Sequence, residues 1–477
     1  MARDPLFPAS VAGTGARGGP GSSPRAGGRT ATVSNNVDWD GLRRRMQGVL
    51  LRPGDAGFES ARKLFNPLTD DRVPAAVAQC ASVADVREAV LAAAHRVPLA
   101  ARSGGHSYVG YSAPPGGLTL DLRRLSTVQV RPDGTATIGA GATLGAVYTA
   151  LGQANRCMPG GSCFTVGIAG VALGGGIGVL QRKFGLTCDH LVSAEVVTAD
   201  GRTLTASATQ EPNLFWALRG GGGGNFGVVT QFTFATVPAP ALTVFLLDFG
   251  AGNVKKVLAG WQPWITAAPR EMWANLKVSG GTKPGCKVAG CFVGPSSACN
   301  TLLNDLIARA TVRPTQRRVL DRDYFEAMRF FSGSPDRQSF VASSRVLATH
   351  TANPGGVDTL LKNRTGMVLI LDALGGAVAD VGVQETAFPH RKAFATAQIY
   401  ASATAATEAA VTRDIGQVVA GLADLGIKDG YVNYIDPALP DDWGTAYYGP
   451  NLARLRSVAY DYDPDKVFDF PQAVTRA

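Results

Sequence analysis

Two residues stand out for their chemistry and for the glycines beside them. His106, one of five histidines in the 477-residue chain, follows a Gly-Gly pair in "ARSGGHSYVGYS", residues 101 to 112. Cys163 also comes behind glycines, in "PGGSCFTVGIAGVALGGGIG". Imidazole and thiol are both nucleophiles and metal ligands, and the glycines let the backbone approach a ligand closely. A Cys–His pair of the hydrolase type needs an activating helix N-terminus or an orienting Asn or Asp, and none is identifiable near either residue. No further His or Cys falls at ligand spacing, so no metal centre is expected. Taken alone, His106 also fits a surface loop with an ordinary hydrogen-bonded ring.

A third glycine-rich stretch, "RGGGGGNFG", contains a G-x-G-x-x-G pattern at Gly222 to Gly227. A β-rich run follows it where a dinucleotide-binding helix belongs, which argues against a nicotinamide site. No P-loop Lys-Ser/Thr follows any of the three stretches, which argues against nucleotide hydrolysis. Their backbone N–H groups can still cradle a pyrophosphate, so the three together point to a large phosphate-containing cofactor.

The elements that must position these loops are legible as patterns. "AAVAQCA" reads as a strand, "VADVREAVLAAAHR" as a helix with apolar residues at helical spacing, and "VPLAARSGG" as a strand and turn leading to His106. "DHLVSAEVVTADGRTLTAS" reads as a hairpin turning at Asp200 and Gly201. "EPNLFWALRGGGGGNFGVVTQFTFATV" reads as helix, glycine turn and strand. The character shifts at "PAPA", Pro238 onward, and the expected organisation is a disordered segment over 1–37, a cofactor domain over 38–240, a second domain over 241–430 and a segment over 431–477 that returns to the first domain.

Composition sets the class. With 45% hydrophobic and 17% charged residues and no long apolar run, the chain reads as a globular protein without a membrane span. The net charge of +9 does not mark a nucleic-acid binder, because the arginines are scattered and only "LRRRM", Leu42 to Met46, is a tight cluster. Seven cysteines without a Cys-x-x-Cys make neither a disulfide framework nor a zinc site, although Cys286, Cys291 and Cys299 are close enough in sequence for one disulfide. No secretory signal is visible, and the compartment is read as cytoplasmic by default with export left open.

The combination of "RSGGHS", "GGSCFTVGIAGVALGGGIG", "LTCDHL", "YVNYID" and "YDPDKVF" resembles the berberine bridge enzyme-like flavoprotein oxidases of the vanillyl-alcohol oxidase superfamily, from about Asn66 to Gln472. The resemblance implies an α+β chain: a PCMH-type FAD-binding fold of two α/β subdomains, with a substrate domain of antiparallel sheet plus helices. It implies FAD joined covalently to His106 and Cys163, and cofactor contacts from Ser103, Gly104, Gly105, Gly167, Gly170, Gly174, Gly175, Asn225, Phe226, Val228 and Asn433. It further implies Tyr431 as the proton acceptor, Tyr434 as its rival, and Asp372 in "LDALGG" as a group beside Tyr431 that takes the proton or holds the geometry. Val166 matches a position that gates oxygen. The reaction implied is oxidation of an alcohol, on a saccharide or a secondary metabolite, with O2 reduced to hydrogen peroxide. Oxidative cyclisation or C–N oxidation, and a flavin-binding protein with little turnover, are the alternatives. Trp443, Tyr447 and Tyr448 either stack on substrate or anchor the tail.

Overall fold

Ser82 opens the first long helix, Val83–Ala93, by accepting the Asp85 N–H, and Val86, Ala89, Val90 and Ala93 bury one face at the spacing that makes it helical. The computed structural model describes residues 37–439 and 441–477. The helix lies against a four-stranded sheet ordered Val49–Leu51, Ala76–Gln79, Leu118–Asp121, Leu99–Arg102, in which the last three strands are parallel. A second sheet has five antiparallel strands ordered Val128–Val130, Thr135–Gly139, Val228–Ala235, Leu191–Val197, Thr203–Ser207. The expected hairpin at Asp200 and Gly201 is present, and the glycine stretch after helix Pro212–Ala217 runs into strand Val228–Ala235 rather than a helix. The expectation for residues 1–37 lies outside the described residues except for Val37, which is buried in the first core.

The second domain is one seven-stranded antiparallel sheet. Its order is Gln316–Arg322, Leu242–Ala251, Gly285–Val293, Met272–Ser279, Met367–Ala373, Ala395–Ser402, Phe340–Leu347. Alternation along the strands divides the sheet's residues between two faces. Leu276, Leu369, Leu371, Ala397 and Ile399 join a core with helices Val254–Ala267, Ser296–Ala310 and Glu408–Asp424. Asn275, Ile370, Asp372, Gln398 and Tyr400 turn the other way, toward the first domain. The C-terminal segment packs into the first core through Tyr447, Tyr448, Leu455, Phe468 and Val474. Cys286, Cys291 and Cys299 are buried free thiols, so the disulfide considered for them does not form.

Arg182 ties the two domains together. It is buried on helix Gln181–Phe184 and donates to the carbonyls of Met272 (2.7 Å), Leu374 (2.6 Å) and Ala268 (3.2 Å). Burial pushes its guanidinium down to about 10, still charged at neutral pH. Its planar fork satisfies three carbonyls at once, those of Met272 and Leu374 in buried surroundings, which a lysine could not match. Arg182→Met keeps the stem and strands those acceptors, so it is expected to cost about 2–4 kcal/mol, read as a lower midpoint in urea unfolding.

Candidate active site

The His106 and Cys163 loops are brought together by backbone contact. Strand Leu99–Arg102 ends at Arg102, which pairs in register with Asp121 and forms a buried ion pair with it at 2.6 Å. Two residues later a Cβ on Gly104 would lie 2.3 Å from the Gly167 nitrogen and 2.8 Å from the Thr165 carbonyl oxygen. A Cβ on Gly167 would in turn lie 2.2 Å from the Gly104 nitrogen. Neither position has room for any side chain. The Cys163 loop is held from behind by helix Leu144–Gln153, whose first N–H groups donate to Val166 and Phe164 at 2.9 Å each. Ser103 Oγ donates to the Ala140 carbonyl and fixes the other loop to the same support.

Thr165 joins the two candidate nucleophiles. Its carbonyl takes an N–H from the His106 ring, and its hydroxyl lies 3.3 Å from Cys163 Sγ. Burial lowers the His106 imidazole to about 4, so it is neutral at physiological pH. With one nitrogen committed to Thr165, the other carries a free lone pair. Phe65 stacks on the ring at 3.9 Å and sets its plane.

Both residues open into a cavity of about 840 Å3 between the first domain and the seven-stranded sheet. Ser103, Gly104, Gly105, Val166, Gly167 and Gly170 line it beside them, and Asn225, Val228 and Asn433 line it further along. Gly174 and Gly175 do not: a Cβ on Gly174 would run into the Asn433 amide, and Gly175, at φ +117°, backs onto Phe388. They serve packing beneath the cavity wall. Phe226 is also absent from the wall, because its ring belongs to the first core. Asn225 braces the cavity through a bond from the Val474 N–H and one to the Gly221 carbonyl.

At the sheet end the geometry corrects the expected pairing of Asp372 with Tyr431. The Tyr431 hydroxyl accepts from Gly176 N–H (3.1 Å), Ile177 N–H (3.4 Å) and Asn433 Nδ2 (2.8 Å), and burial pushes it up to about 12. These three bonds occupy the acceptor side of the hydroxyl and tie Tyr431 to the Gly176–Ile177 backbone. Asp372 instead acts on Tyr434 and Tyr108, two rings stacked at 5.5 Å. Burial first, then Asp372 and Tyr108, hold the Tyr434 phenol well above its usual value. Asp372 itself, on strand Met367–Ala373, is pushed up to about 6 by burial, against a hydrogen bond from Asn275 directly opposite it. The Tyr431–Asp436 turn is anchored to strand Phe340–Leu347 by the buried Arg345–Asp436 ion pair at 2.9 Å and by Ser344 on the Tyr431 backbone. Trp443 and Tyr447 are tail anchors in the first core, and Tyr448, while lining the cavity, is tied to the Gly221 carbonyl.

Tyr108, Gln398 and Asn275 are among the cavity residues that were not singled out from the sequence. Tyr108 lies two positions after His106 and accepts a hydrogen bond from Gln398, and Asn275 faces Asp372. The available signal was polar residues alternating with apolar ones in "MWANLKVS" and "ATAQIYAS". The wall also fits a phosphate-bearing flavin: Gly170 leaves open space, and the buried Ser112 hydroxyl, on the cavity, lacks a hydrogen-bond partner among the described residues.

Fold and site together define a two-domain FAD-binding oxidoreductase. The family described as FAD binding domain matches residues 74–207, and that described as berberine and berberine like matches residues 430–475. The chain is 32% identical over 452 residues to the FAD-linked oxidoreductase YgaK of Bacillus subtilis, covering 90% of this chain and 97% of that one. It is 32% identical over 435 residues to chitooligosaccharide oxidase of Gibberella zeae, covering 84% and 87%. The solved structure of glucooligosaccharide oxidase from Acremonium strictum, with its 6-S-cysteinyl, 8α-N1-histidyl FAD, superimposes with a TM-score of 0.82 at 27% identity, covering 91% of this chain and 98% of that one. This chain belongs to the berberine bridge enzyme-like FAD-linked oxidases, with their PCMH-type fold. Among the described residues no group of His, Cys, Asp and Glu could hold a metal ion, and no helix is long and apolar enough to cross a membrane.

Gly104→Ala forces the two loops apart by the width of a methyl group. The purified variant is expected to lose most of its bound flavin, measured as the ratio of visible to ultraviolet absorbance, while retaining the far-ultraviolet dichroism of the wild type.

Proposed function

We propose that the protein is a saccharide oxidase that holds FAD through His106 and Cys163 and oxidises an alcohol carbon to a carbonyl. The observation that carries this is the convergence on one cavity of a neutral imidazole, a thiol and an acid poised near neutrality. Oligosaccharide oxidases among the relatives favour a saccharide over other alcohols. His106 and Cys163 would tether the ring from two sides, with Ser103, Gly104, Gly105, Gly167, Gly170, Asn225, Val228 and Asn433 shaping the rest of its bed. Bound FAD would supply the sink for the two electrons lost by the alcohol carbon, with O2 as the final acceptor, reduced to hydrogen peroxide.

The chain's own task is the hydroxyl proton. Tyr434 is a poor acceptor, because burial and the neighbouring carboxylate disfavour its phenolate. Asp372 is the better base. With its carboxyl at about 6 it is largely ionised at neutral pH yet basic enough to take a proton, and Asn275 orients it. Tyr434 and Tyr108, stacked beside it, hold the hydroxyl in line, and Tyr431 keeps the turn in place from below. Val166, three residues after Cys163 on the cavity wall, presents a small side chain that leaves O2 a path.

Denaturing electrophoresis viewed for flavin fluorescence tests the tethers: each of His106→Ala and Cys163→Ala is expected to keep one covalent bond, and the double variant none. Complete release of flavin from the wild type would overturn the assignment. For Asp372 the sign follows from its role as acceptor, since protonation removes the base. The rate of peroxide formation should rise through a midpoint near pH 6. Asp372→Asn should lose that limb and about 10²–10⁴ in kcat.

A further inference from the structure

Cys163 opens into the cavity with little to direct its sulfur. Among the described residues the Thr165 hydroxyl, at 3.3 Å, is the one hydrogen-bond partner of Sγ, and Sγ is the one partner of that hydroxyl. The N–H groups that open helix Leu144–Gln153, against which the loop lies, are spent on the Val166 and Phe164 carbonyls. His106 offers no charge, because its buried imidazole is neutral. Thiolate, not thiol, is the nucleophile, and a donor held against the sulfur favours the thiolate and fixes its direction.

The course of the loop puts Thr165 in place to do this. Phe164, between the two residues, packs on the first core against Tyr148 and Phe325, with ring centroids at 5.7 and 5.8 Å. Cys163 and Val166 line the cavity, and Thr165 does not. Its hydroxyl therefore meets the sulfur from behind the wall. Its carbonyl, a different group on the same residue, accepts the His106 N–H and lies against Gly104. One residue thus contacts both candidate tethers, through its side chain on one and its main chain on the other.

Resting on the reading of His106 and Cys163 as the flavin tethers, we propose that Thr165 is the positioning residue for the cysteinyl bond, its hydroxyl donating to the Cys163 thiolate and aiming the sulfur into the cavity. The overall step consumes the Cys163 thiol, one ring C–H of the flavin and one O2. The S–H and C–H bonds break, a C–S bond forms, and two protons and two electrons leave with O2 as hydrogen peroxide. Thr165 touches none of the reacting flavin atoms. Its effect is on the fraction of time the sulfur is ionised and pointed at them.

The separation of hydroxyl from carbonyl supplies the test. The full-length chain is produced under riboflavin limitation, given FAD in air and sampled over time for covalent flavin on denaturing gels, with peptide mass mapping to locate the bond. In a His106→Ala background only Cys163 can attach, and Thr165→Val is expected to slow attachment by about tenfold or more, while Thr165→Ser keeps most of the rate. In a Cys163→Ala background only His106 can attach, and Thr165→Val, which keeps the carbonyl, is expected to change the rate by less than about twofold. Each cysteinyl bond should release one hydrogen peroxide. An unchanged cysteinyl rate in Thr165→Val, or equal slowing of both bonds, would overturn the proposal, the second outcome making Thr165 a general support of the loop. If the His106→Ala protein attaches no flavin, the tether at Cys163 fails, and the hold of Thr165 on the sulfur is decided separately by alkylation of Cys163 with iodoacetamide. Alkylation slowed by about tenfold in Thr165→Val supports that hold, and an unchanged rate overturns it.

Discussion

The direct backbone contact between Gly104 and Gly167 is the constraint on which the rest of this site depends. With no side chain on either residue, the loop bearing His106 and the loop bearing Cys163 meet main chain to main chain. A single Thr165 can then serve both, its carbonyl on the imidazole and its hydroxyl beside the thiol. The loops come from different supports, one following a parallel strand and the other lying over the start of a helix. Only tight contact keeps two such loops at one geometry, because each would otherwise be free to move on its own hinge.

The opposite wall is built on a different principle. The seven-stranded sheet fixes the separation and facing of its residues through register alone, so Asn275, Asp372 and Gln398 need little further bracing. Against that regular face stands an irregular turn, Tyr431 to Asp436, which needs the buried Arg345–Asp436 ion pair and the Ser344 hydroxyl to hold its shape. The turn belongs to the C-terminal segment, whose apolar side chains complete the first core. The chain therefore crosses to the seven-stranded sheet and comes back before its cavity is finished, and Arg182 locks the crossing.

Neighbouring groups also divide the chemistry among residues that look alike in sequence. Tyr431 and Tyr434 are three positions apart in one motif, yet the first accepts three hydrogen bonds and the second lies beside Asp372. Likewise Gly170 opens the cavity, while Gly174 and Gly175, in the same glycine run, make room for Asn433 and Phe388. Residue type sets what a group can do, and its neighbours decide whether it does so.

The sequence by itself determined the local elements around the His106 loop, the hairpin at Asp200 and Gly201, the strand after the third glycine stretch and the family of FAD-linked oxidases. These rest on short-range signals: periodicity of apolar residues, turn chemistry and residue types in fixed order. Only the tertiary structure decided that Asp372 faces Tyr434 and Tyr108 instead of Tyr431, that Gly174, Gly175 and Phe226 lie behind the cavity wall, and that Asn275, Tyr108 and Gln398 belong to the site. Those outcomes turn on strand register and on which face of a turn meets the sheet, and such contacts join residues hundreds of positions apart, for which no local pattern carries information.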